Sequence, residues 1–140
     1  MKAIAAVVAV CASIVTAPHA TAQRASAVHK GQEAAVAWLD LLDSGQYAAS
    51  WDQASLQLQR TVSRPAWVAG VRDQRAPLGP VVARRLKWAN YTESLPELPA
   101  GQYVVLEYET RFANRVSAAE TVTPVKDAYG IWRVGAYRLR

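Results

Sequence analysis

The apolar residues of this chain change their spacing once, between Pro77 and Pro80, and that switch limits the fold more than any other feature. From about Ala25 to Asp43, Val28, Ala35, Trp38, Leu39, Leu41 and Leu42 recur at helical intervals, with Gln32, Glu33, Asp40 and Asp43 mostly opposite. Gly45 then suits a left-handed C-cap. Tyr47, Trp51, Ala54 and Leu58 predict a second amphipathic helix. Ser63 reads as the N-cap of a third, with Pro65 in its first turn and Trp67, Val68 and Val71 as its apolar stripe.

After Pro80 the period becomes two. In "QYVVLEYETRF", Val104, Leu106, Tyr108, Thr110 and Phe112 share one face, and Val105, Glu107, Glu109 and Arg111 the other. Four strands are predicted, near Val81–Thr92, Gln102–Ala113, Val116–Lys126 and Ile131–Leu139, joined by hairpins at "SLPELPAG", Asn114 and "DAYG". Pro124 cannot donate to a ladder and requires an edge or a bulge. A bulge at Gly135-Ala136 brings Trp132, Val134, Tyr137 and Leu139 to one side. Three N-terminal helices on one face of a curved four-stranded antiparallel sheet make an α+β fold.

Met1–Ala22 reads as a secretory signal peptide: Lys2, an uncharged run from Ala3 to Val15, and small residues Ala20 and Ala22 before a cut ahead of Gln23. Val10 before Cys11 argues against a lipoprotein site. The expectation is a secreted protein of the bacterial periplasm, with a single domain over 23–140 and no membrane span after cleavage. The chain's single cysteine, Cys11, falls in the removed segment, so the mature protein holds no disulfide, thiol nucleophile or cysteine metal site. The excess of Lys and Arg over acidic residues is modest, and export separates the protein from nucleic acid.

The stretches "AAVAWLDLLDSGQYAASWDQAS", "RAPLGPVVARRL", "YTESLPELPAGQYVVLEYETRFAN" and "AAETVTPVKDAYGIWRVGAYRLR" resemble a bacterial secreted family, domain of unknown function 4019, over Glu33–Arg140. The resemblance implies a cone-shaped domain, nuclear-transport-factor-2-like or cystatin-like, and it implies no activity. Pro124 stands where an apolar residue is expected for the family.

His29 is left as the mature chain's one histidine, so neither a Ser-His-acid triad nor a multi-histidine metal centre is available; no catalytic residue, metal or cofactor is assigned. Asp40 and Asp43, three apart near a helix C-terminus, read as solvated charge more readily than as a catalytic pair, and Asp52 likewise. On strand one, Arg84 falls in phase with Val82, Leu86 and Trp88, toward the helices, whereas Arg85 and Lys87 face solvent. A guanidinium in that interior needs either a salt bridge, to Asp40, Asp43 or Asp52, or an anionic ligand. Tyr47, Trp51, Trp88 and Tyr108 either fill the core or line a cavity with Arg84. The leading expectation is a non-enzymatic exported domain that binds a small apolar or anionic molecule or an envelope protein. Two alternatives stay open: a small isomerase, dehydratase or hydrolase using a carboxylate and a tyrosine, and a homodimer through the face bearing Val105, Glu107, Glu109 and Arg111.

Overall fold

The structure, a computed structural model, describes residues 17–140, with the apolar run Ala3–Val15 and Cys11 of the expected signal segment lying outside them. Four α-helices, α1 (Ala17–Asp43), α2 (Tyr47–Asp52), α3 (Leu56–Thr61) and α4 (Arg64–Arg75), precede four strands, β1 (Val81–Thr92), β2 (Tyr103–Phe112), β3 (Arg115–Lys126) and β4 (Trp132–Leu139). The strands form one antiparallel meander in the order β1-β2-β3-β4, so the α+β architecture and all four expected strands are present.

The helical half departs from expectation in two places. The expected second helix is divided, because Ser55 turns extended and caps α3, its hydroxyl accepting the Leu58 N–H. Ser55 is buried, and its own N–H donates to the carbonyl of Val134 at 2.8 Å, so the break docks the helices onto β4. Helix α1 is already helical at Ala17, the first described residue, rather than from about Ala25. Every side chain from Pro18 to Ser26 is exposed and burial starts at Ala27, so this extension is helical by local preference and contributes nothing to the core.

The core lies between α1 and the sheet. Ala35, Trp38, Leu39 and Leu42 of α1 meet Val104, Leu106, Val122 and Val134. The layers approach closely at Gly31, where an added Cβ would fall 2.8 Å from the Cβ of Val104. Three bulges shape the sheet. One lies in β1 between Leu86 and Trp88, one between Thr110 of β2 and Phe112, and one at Thr123/Pro124 of β3, opposite which the extra residue of β4 is Gly135; a further shift at the start of β1 lies between Val81 and Ala83. The proline is thus accommodated inside the sheet by a bulge, and Tyr137 is returned to the helix-covered side beside Val134.

Gly31→Ala should cost about 1–3 kcal/mol, since the new methyl overpacks Val104 where neither backbone can yield freely. Urea denaturation of the two proteins checks this, and equal midpoints would show that the helix can lift off the sheet at little cost.

Candidate functional site

Charged side chains gather where α1 and α4 end over the sheet, and again at the opposite end of the sheet.

At the first, Glu120 of β3 is fully buried and its carboxylate accepts four hydrogen bonds. Oε1 takes Arg84 Nε at 2.9 Å and Thr110 Oγ1 at 2.6 Å. Oε2 takes Arg75 Nη1 at 2.9 Å and the Tyr137 hydroxyl at 2.6 Å. Asp43, the last residue of α1, accepts a bidentate pair from Arg84 at 2.7 and 2.9 Å and a further bond from Arg75. Two carboxylates and two guanidinium groups therefore balance, and the guanidinium of Arg75 also lies 5.3 Å from the Phe112 ring centre. Every strand and two of the helices contribute a member.

The electrostatics follow from this pairing. Burial alone would lower the pKa of Arg84, but the hydrogen bonds it donates to Asp43 and the charge of Glu120 outweigh it and hold the group above its ordinary value. For Arg75 burial is likewise outweighed, here by the charge interactions with Tyr137, Glu120 and Asp43, and the group is held above its ordinary value. Tyr137 is pushed well up, first by burial and then by the Glu120 charge, so it stays a proton donor to that carboxylate. Tyr108, buried alongside, is raised for the same reasons, with Arg84 opposing, and its hydroxyl has no hydrogen-bond partner among the described residues.

Arg84 thus points to the helix-covered side and is salt-bridged. Asp43 is one of its three expected partners; Asp40 lies exposed on α1 and Asp52 pairs with Arg64 at 2.8 Å. Glu120 was not anticipated, because its separation of 36 residues from Arg84 leaves no local spacing to detect. Trp88 is a correction: it is 44% exposed on the outer face, since the bulge after Leu86 reverses the phase and puts Ala89 and Tyr91 inside instead. Val82 is turned outward by the first register shift of β1. Tyr47 is half-buried against the core; Trp51 donates its indole N–H to the Val62 carbonyl at 2.9 Å. The neighbouring aromatic cluster is instead Trp38, Trp67 and Tyr137, whose ring centres lie 5.4–6.5 Å apart. His29 is exposed, 3.3 Å from Glu33.

A buried carboxylate does sit within hydrogen-bond reach of a tyrosine, the pair an acid–base enzyme requires. Here both oxygens are saturated by protein donors and Glu120 has no exposed surface, so no reacting group can reach the pair without opening the fold.

The second region is a cavity of about 360 Å³ between the first turns of α1 and the sheet end formed by Tyr91, Gln102, Lys126 and Trp132. Arg24, Lys30 and Lys126 line it, exposed and without an ion pair among the described residues. Glu93, its one carboxylate, accepts the Tyr91 hydroxyl at 2.9 Å. None of the candidate site residues Tyr47, Trp51, Arg84, Trp88 and Tyr108 lines this cavity, because its walls come from strand ends and a helix start that are distant along the chain. Among the described residues no cluster of His, Cys, Asp and Glu is arranged to hold a metal.

Glu120→Ala should destabilise by about 3–5 kcal/mol in equilibrium denaturation, because Arg75 and Arg84 lose a buried counter-charge together. Tyr108→Phe, which removes only an unpartnered buried hydroxyl, should be neutral or gain up to about 1 kcal/mol. A loss above that size would mean the hydroxyl has a partner after all.

Among curated proteins no relative matches the chain. A solved structure described as coming from Catenulispora acidiphila is similar in fold, with a TM-score of 0.57 at 14% identity over 86% of this chain and 94% of that chain. The model of the family described as "Protein of unknown function (DUF4019)" matches residues 34–137, which hold the ion cluster and most of the sheet, and the chain belongs to that family.

Proposed function

We propose that the protein is an exported, non-enzymatic domain that binds a small anionic molecule in the cavity at the end of the sheet. The observation that carries this reading is that Arg24, Lys30 and Lys126 meet there without carboxylate partners among the described residues, beside Tyr91 and Trp132. Elsewhere the fold matches its buried charges closely, as around Glu120, so cations left unmatched around a concavity are available to a ligand. The cavity volume suits a molecule of metabolite size. Gln23, Gln102 and Ser26 add neutral hydrogen-bonding groups.

Export is supported by the charge and small-residue pattern of the first 22 residues and by the exposure of Pro18–Ser26, so that a cut before Gln23 severs no packed side chain. It leaves Arg24, Lys30 and Lys126 in place. No described helix is long and apolar enough to cross a membrane.

Calorimetric titration of the mature protein with citrate and with inorganic phosphate tests the binding reading. Saturable binding of at least one is expected, weakened tenfold or more, about 1.4 kcal/mol, by Lys30→Ala with Lys126→Ala. Absence of binding to both at millimolar concentration would refute the anion site. N-terminal sequencing of the protein recovered from outside the cytoplasm should begin at Gln23, and retention of the whole chain with Met1 in the cytosol would refute export.

A further inference from the structure

We infer that the uncovered face of the sheet docks on an anionic lipid surface. Helices α1 and α4 occupy one side of the meander; on the other side α3 covers the end at Tyr103 through Gln57, and the outward side chains beyond that end form rows set by the strand register. One row runs from Trp88 through Glu107 and Thr121 to Arg138; the next runs from Arg85 through Glu109 and Ala119 toward Arg140, with Arg111 opposite Ala83 beyond it. Lys87, in the β1 bulge, adds its charge close to Glu109, helping Arg85 hold that carboxyl below its usual range.

The balance of this face is basic. Glu109 pairs with Arg85 and Glu107 with Arg140, which uses both carboxylates. Lys87, Arg111 and Arg138 are exposed and make no ion pair among the described residues. These cations do not converge: β1 and β4 are three strand spacings apart, about 14 Å, so the rows spread positive charge across the sheet instead of aiming it at one small anion. A spread of this kind matches an extended array of phosphates. A second copy of the chain placed face to face would oppose cation to cation, which argues against a homodimer through the same rows.

Trp88 selects lipid among extended polyanions. Its indole is 44% exposed on the edge strand beside Lys87, and Val82 farther along the same strand is 54% exposed. A half-exposed indole among cations is suited to the headgroup boundary, where its apolar ring and N–H are both accommodated. The cavity at the end of the sheet takes no part in this docking.

The test is sedimentation of the mature protein with vesicles of phosphatidylcholine alone and with about one third phosphatidylglycerol, in low and high salt. Binding is expected only to the anionic vesicles, lost at high salt, and accompanied by a blue shift of tryptophan emission that Trp88→Phe abolishes. The triple variant K87E, R111E and R138E, verified as folded by circular dichroism, should lower vesicle partitioning about a hundredfold. The pair Lys30→Ala and Lys126→Ala should leave it unchanged, which separates this surface from the anion cavity. Failure to bind anionic vesicles at low salt would overturn the inference, as would full binding by the triple variant. Equal binding to a soluble polyanion such as heparin, with no Trp88-dependent shift on vesicles, would overturn it in favour of a soluble partner.

Discussion

The buried carboxylate of Glu120 is the constraint around which the rest of the structure is arranged. A lone charge at that position would be expelled to water or neutralised, because a low-dielectric interior penalises it by several kcal/mol. Here it receives donors from α4, β1, β2 and β4, while Arg75 and Arg84 are in turn held by Asp43 at the end of α1. The carboxylate of Asp43, unfavourably placed for its own helix dipole, is compensated by both guanidinium groups. Such a network discriminates between arrangements more than it adds net stability: any slip of one strand, or any different seating of α1 and α4, leaves a charge unpaired.

That same saturation decides what the interior can do. Four donors on one carboxylate leave nothing for a substrate, so a tyrosine and an acid in contact here are structural members rather than an exposed acid–base pair. The functional reading therefore moves to surfaces where charge is left unmatched. Arg24, Lys30 and Lys126 surround a concavity, which favours one compact anion, whereas Lys87, Arg111 and Arg138 are dispersed over a sheet face, which favours an extended one. Both belong to a chain whose formal charge is +5, and neither set is needed to neutralise buried groups.

Much of the fold was legible because periodicity reports which way side chains must face. The switch from a helical to a two-residue period located the boundary between layers, and the strands begin and end within a residue or two of expectation. Pro124 and Gly135 announced their bulges through what proline lacks and what glycine permits. The inward direction of Arg84 was legible for the same reason. The outward turn of Trp88 was not: the bulge beside it carries neither glycine nor proline, and one inserted residue reverses the parity of all that follows. The division between α2 and α3 was hidden in Ser55, which reads as an ordinary helical residue until its backbone meets β4.

The amino-acid sequence by itself determined the two kinds of layer, their order, the strand boundaries and the need of Arg84 for a counter-charge, because each rests on local spacing or on the solvation of a single group. Only the tertiary structure decided that Glu120 supplies that counter-charge, that the interior beneath the helices is closed by ion pairs, and that unmatched cations collect at one sheet end and across the outer face. Those outcomes depend on which distant residues the strand register and the helix seating bring within a few ångströms, and no spacing along the chain encodes that distance.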